Sequence, residues 1–262
     1  NEITPSRRAS DPEWLRRVYL DLVGHIPAVE DVIVFLKDRN PDKRSAVVDR
    51  LLDDPDFVGH WSTTWTNLLI GRSEQTDVDR DMLARFFRHS LTRNRPWNEV
   101  VFELVSAEGR NDTNGATNFL LAHLNNDASP ATAITARLFL GTQVQCTQCH
   151  NHPFNKWQQQ QFHDLNVFFK ATHKKSLRGE SAVELVSELT TGEGFYEDRQ
   201  GVLHVSRPRY RGVDVAGEKE VNLRAELARL MTDGRDPRLA RAMVNRVWAH
   251  FLGRGFTAPI DD

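Results

Sequence analysis

The chain has 262 residues, of which 27% are charged and 39% hydrophobic, and its net charge is −2. These values describe an ordinary globule of one large domain or two small ones. The near-neutral balance removes the bulk electrostatic argument for nucleic-acid binding, and no apolar run approaches the roughly 20 residues that span a membrane.

The chain opens on Asn1 rather than Met and stops at Pro259-Ile260-Asp261-Asp262, soon after a strong helical pattern. Both ends are therefore expected to be boundaries of a processed or cut-down form, and no signal peptide is visible.

Hydrophobic periodicity predicts a mainly helical protein. The first helix is expected over residues 11–24. Asp11 can cap it, Pro12 suits its first turn, Trp14, Leu15, Val18, Tyr19 and Leu22 recur at helical spacing, and Gly24 ends it. A second follows over 28–37. Asn40 is read as the cap of a third, with Pro41 at its first position and Val47, Val48, Leu51 and Leu52 as its stripe. A fourth, over 55–70, carries Phe57, Trp61 and Trp65 on one face, a stripe that could line a haem pocket but is more often plain core packing. A fifth spans 77–93, and a sixth starts at Pro96.

After a polar loop over 109–115, residues 118–124 read as helical and 125–127 as a loop. Ser129 is expected to cap a helix that starts at Pro130 and runs up to the cysteines. Another helix is expected over 158–171. The character changes beyond His173. Residues 194–196 and 201–205 flank Asp198-Arg199-Gln200 as a hairpin would. Helices resume over 222–231 and 237–252, the latter closed by Gly253 and Gly255. The expected fold is an irregular multi-helix domain, mainly α, with a small β insertion or hairpin around 180–215. The expected divisions are a helical domain over 1–173, a β-rich insertion or arm over 174–219, and C-terminal helices over 220–262. Those last helices either start a truncated second domain or pack on the first.

The two cysteines of the chain, Cys146 and Cys149, lie three apart and are followed directly by His150. This is C-x-x-C-H, the attachment signature of c-type haem. Two thiols at this spacing can each bond one vinyl group, and the histidine can serve as the proximal iron ligand. Three other readings compete. A thiol–disulfide pair usually follows a strand in a βαβ context, which is missing before Cys146. A zinc site lacks a second pair at finger spacing. The plainest reading is two inert thiols. The motif is expected at the C-terminal end of a helix, with Pro153 forcing a turn behind it. Covalent haem attachment takes place on the outer side of a bacterial inner membrane, so a periplasmic or otherwise extracytoplasmic protein is expected.

Five segments carry a resemblance. They are residues 17–27 (RVYLDLVGHIP), 41–44 (PDKR), 51–55 (LLDDP), 139–154 (FLGTQVQCTQCHNHPF) and 241–255 (RAMVNRVWAHFLGRG). The first four resemble the planctomycete cytochrome-c-like family of exported proteins, long catalogued as domains of unknown function. The fifth resembles the start of the domain that usually follows it. Together the likeness covers most of residues 14–170 and 236–262. It implies covalent haem and export, and a larger protein; it supplies no reaction.

The second axial position decides what such a haem does. Met243 and His250 lie seven apart on one helix face, and His123 sits in an apolar stretch before the motif; these are the candidate distal ligands. His152 is too close to His150 to reach the opposite face, and is read as turn-stabilising or propionate-facing. His163 is read as facing solvent. Arg137 and Arg246 are the candidate propionate partners, because guanidinium–carboxylate bonds are charge-assisted. The expected function is electron transfer or redox sensing with haem c and its iron, serving a redox partner protein or the remainder of a larger exported protein. It is expected to be an electron-transfer domain rather than a complete enzyme. The alternatives are a peroxidase-like haem enzyme with an open iron site, and a non-catalytic interaction module with haem as a structural staple.

Overall fold

The computed structural model describes residues 7–215 and 219–261. The protein is mainly α with small β elements, as expected. It divides into two compact units, residues 1–65 and 66–262, with the boundary inside one long helix.

In the first unit, α1 (Asp11–Val23) ends where Gly24 adopts φ +79°, the left-handed conformation that glycine takes without a steric penalty. A Cβ at Gly24 would also lie 2.2 Å from the His60 ring. Two expected caps are corrected here. Ser10, not Asp11, is the cap position of α1. Asp11 is instead the first helical residue, and its carboxylate pairs with Lys43 (2.6 Å) and Arg44 (2.7 Å). Asn40 does not cap α3 (Lys43–Leu52). Its side chain accepts from the Asp42 N–H at 2.9 Å, a local Asx turn that delays the helix beyond Pro41. Together with α2 (Val29–Lys37), these helices bury Leu15, Tyr19, Leu22, Val23, Phe35, Val47 and Leu51, with Phe57 packed against them. Trp61 and Trp65, on α4 (Pro55–Ile70), are buried, which matches the core reading of that stripe.

The second unit begins with the last turn of α4. Helix α5 (Arg80–Thr92) starts later than expected, because Asp79 accepts from the Met82 N–H at 2.9 Å and caps it there. Helix α6 (Trp97–Ser106) has Pro96 at its cap position. Helix α7 (Thr117–Leu121) stops short of His123. Helix α8 (Ser129–Leu140) includes Ser129 rather than being capped by it. It ends at Gly141, whose φ is +61°. Helix α9 (Gln159–Lys170) buries Phe162, Leu165, Phe168 and Phe169.

The β region begins slightly before residue 174 and is richer than one hairpin. Strands β1 (Gly109–Arg110), β2 (Thr172–Ser176) and β3 (Val183–Ser187) form an antiparallel sheet in the order β1-β3-β2. The predicted hairpin is β4 (Gly194–Glu197) with β5 (Leu203–Ser206), pairing Phe195 with Val205 and Tyr196 with His204. Asp198 folds its turn by accepting from the Gln200 (2.9 Å) and Val202 (3.0 Å) N–H groups. A short ribbon, β6 (Arg209–Tyr210) with β7 (Val213–Asp214), follows.

Helix α10 (Leu223–Thr232) packs on α6 and brings in Arg224, whose side chain is fully buried. The guanidinium donates to Val105 O (2.9 Å) and Ala107 O (2.8 Å), carbonyls at the C-terminal end of α6. It also reaches Thr172 Oγ1 (3.0 Å) and Ser187 Oγ (2.9 Å) on β2 and β3. A helix C-terminus leaves carbonyls unpaired and carries partial negative charge, so a buried cation is well matched there. Burial lowers the Arg224 pKa to about 10, opposed by Glu108 at 3.6 Å. Helix α11 (Arg238–Leu252) lies against α8, with Ala242 over Gly141. Among the described residues no helix is long and apolar enough to cross a membrane.

Candidate functional site

Cys146 sits on a short 3-10 turn, Gln145–Gln148, and Cys149 follows as its C-terminal cap, so the motif is not on the end of α8 as expected. The left-handed Gly141 stops the helix first. The turn is held by Thr147 N–H to Val144 O (3.0 Å) and Cys149 N–H to Cys146 O (3.4 Å). Thr147 is buried and also donates its hydroxyl to Val144 O (2.6 Å). Side chains three apart eclipse on such a turn. With Thr147 facing inward, Cys146 and Cys149 are both exposed and both free thiols.

The turn is anchored from behind. Gln148 O accepts from His163 Nε2 (3.1 Å) and Gln159 Nε2 (3.2 Å), and Gln148 Nε2 donates to Ser129 Oγ (3.1 Å). So His163 does not face solvent. It is half-buried, and burial lowers its pKa against the opposing bond to Gln148 O.

His150 follows, half-buried, with Nδ1 2.7 Å from Asn151 O. A carbonyl only accepts, so Nδ1 carries the proton and Nε2 keeps its lone pair. The loop beyond is closed by His152 N–H to Trp157 O (2.8 Å), and Asn151 Oδ1 accepts from Gln159 N–H (2.9 Å). His152 Nδ1 accepts from the N–H groups of Phe154 (3.2 Å) and Asn155 (3.1 Å), so of its two expected roles the turn-stabilising one is present. Phe154 is 94% exposed at the tip.

His123 and Arg137 come together. They line a cavity of about 230 Å³ with Pro130, Ile134, Val144 and Gln145, adjoining Cys146. His123 Nε2 donates to Leu69 O at 2.7 Å, which leaves Nδ1 as the lone-pair nitrogen. Burial lowers its pKa below 6.5, the bond to Leu69 opposes this, and the Arg137 charge adds to the lowering. The unfolded chain therefore binds more protons once the pH drops below 6.5, and stability is lost as acid enters that range. His123→Gln keeps a donor for Leu69 O but gains no proton. Its melting temperature should fall less steeply than the parent's between about pH 7 and about pH 5. Equal slopes in thermal unfolding would put the acid sensitivity elsewhere.

The other candidates lie on α11. Met243 is half-buried and His250 is exposed, its ring 5.0 Å from that of Phe251. Arg246 donates to Leu138 O (2.9 Å) on α8 and pairs with Asp261. Its guanidinium thus ties α11 to α8.

One arrangement was missed by sequence reasoning. The rings of His163 and Tyr196 stack at 3.8 Å and 7°, and Tyr196 stacks on His204 at 5.1 Å and 20°. His204 Nε2 meets Asp198 Oδ2 at 2.7 Å. The column runs from the carbonyl of Gln148, inside the motif, to the tip of the β4–β5 hairpin. The alternation of Tyr196 and His204 on facing strands could have suggested one shared face, but nothing local placed His163 against it.

The family model PSCyt2, a protein of unknown function (DUF1549), matches residues 1–174. The chain belongs to the PSCyt2 family. A second model, PSD1, also a protein of unknown function (DUF1553), matches residues 223–262, so the chain matches two domain types, both of the planctomycete type. No curated protein and no solved structure matches. In this PSCyt2 chain, Cys146, Cys149, His150, His123 and Arg137 fall within the first match, and Met243, Arg246 and His250 within the second.

Proposed function

We propose that this PSCyt2 chain is the c-type haem-binding domain of an exported protein, working in electron transfer or redox sensing. Cys146 and Cys149 would hold the haem covalently through their thiols, and His150 Nε2 would be a nitrogen ligand to its iron. The observation that carries the reading is the state of His150. Its Nδ1–H is spent on Asn151 O, which orients the ring and raises the basicity of Nε2, directly beside two free, outward thiols on one turn. Among the described residues no group of three or more His, Cys, Asp or Glu is arranged to hold a bare metal ion.

When bound, the haem supplies one-electron chemistry at a potential set by its axial ligands and burial. The chain's own residues do the holding. Thr147 and Gln148 fix the turn, and the exposed Phe154 offers an apolar edge beside it. Arg137 at the neighbouring cavity is the guanidinium available for a propionate, since Arg246 is bonded to Leu138 O and Asp261. Of the three distal candidates, His123 is the one whose cavity adjoins the motif.

The test is export in a host with working haem-attachment machinery. The purified protein should be red and keep its colour through acid-acetone extraction. Low-spin oxidised iron is expected for electron transfer, and high-spin iron would favour an open-site enzyme instead. A colourless product from that host would refute the haem reading.

A further inference from the structure

A second cavity, of about 430 Å³, opens beside α9 and the β6–β7 ribbon. It plays no part in the haem reading. What lines it is a mixture of free donors, one inward acceptor and apolar walls.

Two of its cations lack a carboxylate partner. Lys156 makes no ion pair or hydrogen bond among the described residues, and Arg211 spends only one N–H, on Arg235 O at 3.0 Å. The other two arginines on the wall are engaged, Arg209 with Asp214 (2.5 Å) and Arg238 with Asp236 (2.6 Å). Gln161 accepts the Gln158 N–H through Oε1 at 2.9 Å, which leaves its Nε2 as a donor. The N-terminal turn of the 12-residue α9 lines the same wall, and its partial positive charge favours an anion.

Against these donors stands Asp164, 5% exposed. Its Oδ1 accepts from Gln160 Nε2 (2.8 Å) and the Arg207 N–H (3.1 Å), so Oδ2 remains as an acceptor. A bare inorganic anion would be repelled by that carboxylate, whereas a hydroxyl would satisfy it. The half-buried Trp157 and the buried Leu140 and Leu165 add apolar surface of the kind that covers the C–H face of a ring. The volume suits a small ligand.

We propose that this cavity binds an anionic polyol, a sugar acid or a sulfate ester of a sugar. Its oxyanion sits at Lys156 and Arg211 and one of its hydroxyls donates to Asp164 Oδ2. Neither cysteine nor His150 lines this cavity, and the site stands whether or not the haem reading holds.

Isothermal titration of the folded chain with D-glucuronate, glucose 6-sulfate and glucose tests this. The two acids should bind at least about tenfold more tightly than glucose, the loss of a charge-assisted pair being of that size. The tighter of the two assigns the oxyanion as carboxylate or sulfate ester. Lys156→Ala/Arg211→Ala should abolish the preference for the acids, and Lys175→Ala, which changes a surface pair with Glu184, should leave it intact. Asp164→Asn should weaken both acids but not inorganic sulfate. Equal affinity for glucose and the acids, no binding at all, or binding indifferent to Lys156 and Arg211 would each overturn the site. The titration is run on haem-loaded protein and on Cys146→Ser/Cys149→Ser protein. Acid binding confined to the latter would assign the cavity to the haem's own carboxylates and also overturn it.

Discussion

Replacing Cys146 and Cys149 together by serine should take covalently retained haem from one per exported chain to none. The two thiols are exposed on a turn held by Thr147 and Gln148, and neither packs into the core. The double variant should therefore fold like the parent, and loss of colour would report lost attachment rather than unfolding. Serine keeps the shape but its hydroxyl is a poor nucleophile, so no thioether forms. Single variants should each leave one thioether and an altered pyridine haemochrome band. The decisive measurement is haem stain on a denaturing gel beside a circular dichroism spectrum. A double variant that still carries covalent haem would show that these thiols are not the attachment points. His150→Ala should behave differently, because the thiols remain while the Nε2 ligand opposite the bond to Asn151 O is gone.

The largest effect on stability is expected at Arg224. Arg224→Ala strips a hydrogen-bond donor from Val105 O, Ala107 O, Thr172 Oγ1 and Ser187 Oγ at once; Val105, Ala107 and Thr172 are buried and Ser187 is half-buried. Buried polar groups left without partners each cost about 1–3 kcal/mol, and breaking a buried ionic network typically costs about 3–5 kcal/mol in all. A fall in melting temperature on the order of 10 °C follows for a domain of this size. Arg224→Lys keeps the charge but not the planar fork that reaches both helix carbonyls and both hydroxyls, so it should fall between. Arg224→Met tests the opposite idea, that shape alone suffices. If methionine melts within about 1 kcal/mol of the parent, the guanidinium is filling space and the hydrogen bonds add little. Circular dichroism melts of the three variants decide it.

The helices were legible because their apolar residues repeat at helical spacing. Leu15, Tyr19 and Leu22 are buried as that repeat requires, and so are Trp61 and Trp65. The β4–β5 hairpin was legible from its turn residues, and Asp198 does fold that turn. Helix starts were less legible. Asp11 and Asn40 have the side chains that cap helices, yet Asp11 is drawn to Lys43 and Arg44, and Asn40 closes a turn with Asp42. Both outcomes depend on competition between partners, which a local pattern does not rank.

By itself the sequence determined the chemistry available around residue 146: two thiols, a histidine next to the second, and a proline behind them. It also determined the mainly helical class, through periodicity. Only the tertiary structure decided how those groups are presented. Gly141 ends α8 before the motif, a buried Thr147 turns both thiols outward, and Asn151 O selects the proton position on His150. The same holds for the His163–Tyr196–His204 column and for the cavity that joins Lys156 to Arg211, residues 55 positions apart. The reason is physical. Hydrogen-bond direction, burial and ring stacking are properties of groups brought together from distant positions, and a periodic pattern records only which residues must be inside.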